Sequence, residues 1–297
     1  MSISLEEHIS GSVGYTLLER DNMIVLLFAD IHDGIEYCDQ SKYNKFIAEW
    51  LNDKSYKYEV LLEEIIREDL KLTELWPNAK HTQELKHLNK NNSNITPIDI
   101  RPMLVPFSWE LVETDSIGST TSQLGYNTLQ FYINNLEKLF NQESYFFKKY
   151  FEEKIDTMKK NQDNVTGSKI SPLVHYNELN NLFNEFKDQY NELMGKNIFY
   201  IIKNKKEILY RINNIISMIM EWYIVLLIYN NSKYKIIHIG LAHSNRLYDI
   251  LTQVYRFNCK YKVGINKMIE IPYNIPSACV MLPPDVTNMF NRKYGFY

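Results

Sequence analysis

Two imidazoles, several carboxylates and a guanidinium stand at the ends of apolar runs in this 297-residue chain. Phe28-Ala29-Asp30-Ile31-His32-Asp33-Gly34 closes the first core run, and Leu61-Leu62-Glu63-Glu64 closes the second. Ile98-Asp99-Ile100-Arg101-Pro102 ends the third, and His238-Ile239-Gly240-Leu241-Ala242-His243 ends the fourth. An imidazole near a carboxylate can exchange a proton or share a metal ion around neutral pH. A guanidinium adds a fixed positive charge for an anionic group or a developing oxyanion. The imidazole pair His32 and His243, a carboxylate from among Asp30, Glu63, Glu64 and Asp99, and the Arg101 guanidinium, with Gly240 beside the last imidazole, could form one site that binds a metal or runs acid–base chemistry. Where a metal is present, its ligands are Asp30, His32, Glu63 and His243. Mixed carboxylate and imidazole donors suit Mn, Zn or Fe.

Each residue also has a structural reading. Asp30 and His32 could satisfy a loop, and Glu63 and Glu64 could open a charged helix. Asp99 and Arg101 could pair in a salt bridge, and His243-Ser244 could be an ordinary helix start. His238, one place inside the last strand, reads as a buried structural residue. His81 and His87 fall in a polar helix, and His8 and His175 carry no motif. What favours one shared site is that the four places recur in the same position, at strand ends, where loops converge in an open α/β sheet.

The elements that must position these residues follow from periodicity. Residues 14–18 and 23–30 read as a hairpin feeding a core strand that is apolar on both faces. Tyr43, Phe46, Ile47, Trp50 and Leu51 then fall at i, i+3, i+4, i+7 and i+8 of a helix. Strands over 58–62 and 95–100 flank a charged helix that runs to about Lys90. Residues 102–125 read as irregular. From 126 to 229 the pattern is helical, with breaks near 163–172 and 195–197. Leu129, Tyr132, Ile133 and Leu136, then Leu179, Leu182, Phe183, Phe186 and Tyr190, form core stripes. A strand at 235–239 and a helix with Leu247, Ile250, Leu251, Val254 and Tyr255 repeat the opening pattern, and 259–263 is a final strand. The tail from Pro272 onward, with Pro276, Pro283 and Pro284, reads as lying over the surface.

The fold class is α/β, a mainly parallel central sheet flanked by helices, with a large helical insertion between the third and fourth core strands. Residues 1–110 form the first part of the core, 111–230 the insertion, and 231–297 the last part with its tail.

Composition narrows the partners. With 45% hydrophobic and 23% charged residues, the chain can bury a core and is not a disordered tail. A net charge of −3 offers no footprint for wrapping nucleic acid. The most apolar stretch, 208–229, carries Arg211, Asn213, Asn214 and Glu221. Its unbroken part, 222–229, is far short of the roughly 20 residues that span a bilayer, so a buried helix is expected and no membrane span. The acidic start lacks the pattern of a signal peptide. Three cysteines (Cys38, Cys259 and Cys279), odd in number and far apart, make neither a disulfide framework nor a zinc ribbon. A reducing compartment, the cytoplasm, is the expectation. Heavy use of Asn, Ile, Lys and Tyr, with 22 Tyr against 10 Gly, reflects AT-rich coding.

Two families share parts of this pattern. Asp30-Ile31-His32 after an apolar strand resembles the opening motif of calcineurin-like metallophosphoesterases, in which Asp and His hold one ion of a two-metal centre. That family continues with Gly-Asp, Gly-Asn-His-Asp/Glu and Gly-His-x-His motifs. Here those places hold Glu63-Glu64, Asp99-x-Arg101 and His243 alone. The whole set resembles more closely the superfamily of erythromycin-esterase-like hydrolases, haem-binding ChaN-like proteins, TraB-like proteins and Tiki-type metalloproteases. Its pattern is a Gly-x-x-His-like motif, then Glu, then Arg, then Gly-x-x-His, with a helical insertion before the last. Ala29-Asp30-Ile31-His32, Glu63, Arg101 and Gly240-Leu241-Ala242-His243 match it in order. Ala29 replaces Gly, and Asp30 stands where many members have Glu.

The resemblance implies hydrolysis of an ester or a peptide, and a divalent metal or haem as the cofactors open to such a chain. It makes Glu63 or His32 the group that activates water, Arg101 the electrostatic partner, and His243 the residue that positions substrate or ligates a metal. The partner is then a small-molecule or peptide substrate. A competing expectation is a catalytically inactive structural or interaction protein on the same fold, with a protein partner, associated with a virus particle given the coding bias. The aromatic helical block and the ending Tyr294-Gly295-Phe296-Tyr297 would suit a partner surface.

Overall fold

The computed structural model describes residues 6–31, 38, 44–66, 80–101, 134, 136–157, 172–196, 204–229, 233–272 and 277–291. The chain divides into two compact units: residues 1–64, 76–97 and 232–297 in one, and residues 65–75 and 98–231 in the other. In chain order the described elements begin with β1 (Glu7–Ser10), β2 (Gly14–Arg20), β3 (Met23–Asp30) and β4 (Asn44–Phe46). Then come α1 (Ile47–Ser55), β5 (Glu59–Ile65), α2 (Lys80–Asn91) and β6 (Ile95–Asp99). Two long helices follow, α3 (Pro172–Met194) and α4 (Lys205–Ile228). The chain closes with β7 (Tyr234–Gly240), α5 (Leu241–Asp249), β8 (Asn258–Gly264), β9 (Cys279–Leu282) and α6 (Pro284–Asn291).

The class is α/β, built on a mixed six-stranded sheet in the order β6-β5-β7-β3-β2-β8. β7, the late strand, lies between β3 and β5 and runs parallel to both. Burial on both faces explains why β3 is almost wholly apolar, with Val25 to Ala29 fully buried. β2 is antiparallel to β3 through a two-residue turn in which Asp21 takes a φ of 51°. β8 is antiparallel to β2, so one half of the sheet departs from the parallel pattern. Where β2 and β8 meet, a Cβ on Gly14 would lie 2.1 Å from the Ile265 oxygen, so only glycine fits there.

One sheet face carries α1. Leu26, Phe28, Val60, Leu62 and Ile236 pack there with Trp50 and Leu51. The Phe28 and Trp50 rings meet edge-on, 5.4 Å apart.

Several expectations are corrected. Phe46 belongs to a strand, not a helix: β4 pairs with β1, Ser10 opposite Phe46, and the helix starts at Ile47. Strand β1 was not legible either, because its partners β4 and β9 are distant in sequence. Residues 277–291 of the C-terminal tail are not a surface strap. β9 pairs with β1, and Val280, Leu282, Val286 and Phe290 are buried in the core. Pro284 opens α6 as its first residue, a position where proline starts a helix and does not break one.

Cys38 and Cys279 are joined by a disulfide, against the expectation that the cysteines make no disulfide framework; Cys259 is a free, exposed thiol. Residues 273–276 and 292–297, with Pro276 and the Tyr294–Tyr297 ending, lie outside the described residues. The same holds for 102–133 and 158–171.

In the other unit, α3 buries Leu182, Phe183, Phe186 and Tyr190, the stripe read from periodicity. Phe151 stacks on Trp222 at 4.6 Å and 12°, and Phe183 lies 5.2 Å from the same indole. The stretch Tyr210–Ile228 within α4 is long and apolar enough to cross a membrane, yet 78% of it is buried inside the protein. It is a core helix.

Candidate functional site

Side chains alternate along a strand, so the register assigns each strand-end residue to a face. Asp30 pairs with Gly240, Phe28 with His238, and His238 with Leu62. Asp30, His238 and, two residues beyond Leu62, Glu64 therefore share the α1 face. Glu63 shares the opposite face with Leu61, Ala29 and Ile239. On that face Leu241, the first residue of α5, packs against Ala29.

β7 passes directly into α5, with Gly240 as N-cap and no loop between them. Gly240 has no side chain to cap the helix. The Glu63 carboxylate, from the neighbouring strand, accepts the Gly240 N–H through Oε2 at 2.5 Å. Its other oxygen, Oε1, lies 3.6 Å from His243 Nε2. In a capping box the residue at N3 is a Glu that accepts the N-cap N–H. Here N3 is His243, and the carboxylate arrives from β5. The positive end of the helix dipole favours a carboxylate at this place. Both residues are buried.

This pairing can do two things chemically. The carboxylate can hold the imidazole in one orientation, or the two groups can share a proton with a water or substrate between them. At 3.6 Å they are close enough to form an ion pair once the imidazole carries a proton, and just beyond a direct hydrogen bond.

Asp99 and Arg101 belong to the other unit and form a pair there. Arg101 Nε donates to Asp99 Oδ1 at 2.8 Å and Nη2 to Oδ2 at 2.9 Å, a two-pronged contact. The Arg101 backbone N–H also donates to Asp99 Oδ1, at 3.1 Å, and both residues are buried. The structural reading of this pair as a salt bridge is thus realised, and the guanidinium is held in one orientation.

Of the remaining residues, Asp30 is buried at the end of β3, Glu64 is buried near the end of β5, and His32 lies outside the described residues. His238 is buried, as its place in the strand implies. The structure brings together Glu63, Gly240 and His243, and separately Asp99 and Arg101.

A metal needs more donors than Glu63 and His243 supply. Among the described residues, no three His, Cys, Asp or Glu side chains cluster at coordinating separations. Asp30, on the other sheet face from Glu63, does not join them. The described residues therefore do not by themselves fit a divalent ion.

Cavities lie elsewhere. One of about 810 Å³, between α1 and α2, is lined by Glu49, Asn52, Glu84 and His87 among others. A second, of about 600 Å³, lies between α3 and α4. Neither is lined by Asp30, Glu63, Glu64, Asp99, Arg101 or His243.

The Glu63–Gly240 contact and the Cys38–Cys279 bond escaped sequence reasoning. The first had a weak signal, a glycine N-cap with no capping side chain ahead of His243. The second had none, its cysteines being 241 positions apart. No protein-family model, no curated protein and no solved structure matches this chain.

Proposed function

We propose that the chain is a hydrolase of the erythromycin-esterase-like, ChaN-like and Tiki-type superfamily, with Glu63 and His243 as its acid–base pair. The observation that carries this reading is their convergence. A buried carboxylate from β5 and a buried imidazole from α5 come within 3.6 Å at the strand ends. In that reading His243 takes a proton from water as it attacks an ester or peptide carbonyl, and Glu63 orients the imidazole and stabilises its protonated form. Arg101, held by Asp99, belongs to the other unit and is given no part in this step. The helical part would be an insertion into a mainly parallel core.

Purified protein, assayed against ester, peptide and phosphate substrates with and without Mn, tests the reading. Glu63→Gln and His243→Ala should each lower turnover at least 100-fold with the fold intact. Turnover unchanged in both variants would end it.

A second reading has its own observation. The Glu63 Oε2 contact with the Gly240 N–H is a structural task, sufficient by itself to keep a buried carboxylate at this place. It favours a catalytically inactive interaction protein on the same fold. A wild-type chain inert towards every substrate class, whose Glu63→Ala variant loses stability, would favour it.

A further inference from the structure

The Cys38–Cys279 bond joins the two ends of a discontinuous unit. Cys38 lies between β3 and β4, ahead of the other unit in sequence, and Cys279 is the first residue of β9, after it. Cys38 is 5% exposed, and its backbone N–H donates to Ser10 Oγ at 3.3 Å. Ser10 pairs in register with Cys279, so both cysteines converge on one residue of β1. The segment carrying Cys279 is seated by more than the sulfur. Gly11 donates to the Ala278 oxygen at 2.8 Å, and Phe290 packs 5.2 Å from Tyr58. Cys259, by contrast, is exposed on β8.

We infer that Cys38 and Cys279 take their disulfide by exchange from an oxidised carrier before β9 is seated on β1. Exchange requires a thiolate in line with the carrier's disulfide. The folded unit covers Cys38, so the reaction belongs to a stage when the C-terminal segment is still off the sheet. The Cys38 or Cys279 thiolate attacks one sulfur of the carrier, and a mixed disulfide forms as the carrier's other sulfur leaves as thiolate. The second cysteine, as thiolate, displaces the carrier, which departs reduced as a dithiol. Two electrons pass to the carrier, and the two protons lost by the cysteines balance its reduction. Maturation then takes place where such carriers are kept oxidised, or beside a dedicated oxidase, and not in an ordinary reducing cytoplasm.

Refolding the full chain from the reduced, denatured state tests this. With oxidised glutathione as the probe, maleimide-reactive thiols counted in denaturant should fall from three to one as native tryptophan fluorescence returns. Non-reducing peptide mapping should join the Cys38 and Cys279 peptides, and Cys259→Ser should run from two thiols to none. Protein first folded in reductant and then given the same glutathione should oxidise at least tenfold more slowly. A reduced chain that never reaches the native state would equally place oxidation before seating. Three thiols after oxidative refolding, or equal oxidation rates in folded and refolding chains, would overturn the inference.

Discussion

Glu63 accepts the N–H of Gly240, 177 positions later in sequence and N-cap of α5, with one oxygen and faces His243 with the other. One carboxylate thus has a structural and a chemical task, and the two separate by substitution. Glu63→Gln keeps an oxygen for Gly240 and removes the charge beside His243. It should cost under ~1 kcal/mol of stability while abolishing activity. Glu63→Ala also leaves the Gly240 N–H without an acceptor, which costs about 1–3 kcal/mol. Urea denaturation beside a turnover assay reads both.

Tyr15 on β2 donates its hydroxyl to the Met281 oxygen at 3.2 Å, tying the large sheet to β9. Burial first, then the negative charge of Asp285, pushes its pKa up to about 12 from 10.0. A folded-state pKa above the unfolded one gives stability that is complete below pH 10 and lost as pH rises through 12. The expected loss is about 2–3 kcal/mol. Tyr15→Phe should remove that part of the alkaline decline, at a cost of about 1 kcal/mol at neutral pH. Denaturation midpoints from pH 8 to 12 decide it.

Lys235, on β7, is 1% exposed and forms an ion pair with Glu59. Burial lowers its pKa, and Glu59 opposes that shift only in part. A lowered folded-state pKa means that the stability contribution exists above the unfolded value and is lost as pH falls through the folded one, so the charge is a burden at neutral pH. Lys235→Met should therefore be neutral or stabilising. Glu59→Gln, which removes the charge opposite the ammonium, should cost about 3 kcal/mol. Thermal melts of the two variants should move apart; parallel losses would show that the pair is a net source of stability.

Phe290 on α6 meets Trp50 at 6.4 Å and Tyr58 at 5.2 Å. Truncation to Ala should cost about 3–5 kcal/mol, the amount expected for a buried ring. A surface tail would lose almost nothing, so a denaturation curve separates the two.

Much of the first unit was readable because its signals are local. The turn at Asp21 and the doubly apolar run of β3 each announce themselves within a few residues. Leu182, Phe183, Phe186 and Tyr190 did the same for α3. What failed was pairing between distant segments. Phe46 fits a helical stripe as well as it fits β4, and only Ser10 opposite it decides for the strand. Pro283 and Pro284 suggested a surface tail because the same proline that ends regular structure also starts a helix.

The candidate site divides the same way. Residue type and order along the chain named Glu63, Arg101 and His243, because strand-end polar residues stand out against apolar runs. Amino-acid order alone could not say which sheet face each residue takes, that Glu63 of β5 accepts the Gly240 N–H, or that Cys38 meets Cys279. Those outcomes depend on β7 being placed between β3 and β5 and on β9 reaching β1. Such long-range closures are won by packing and hydrogen bonding summed over the whole unit, and no short stretch of residues encodes that sum.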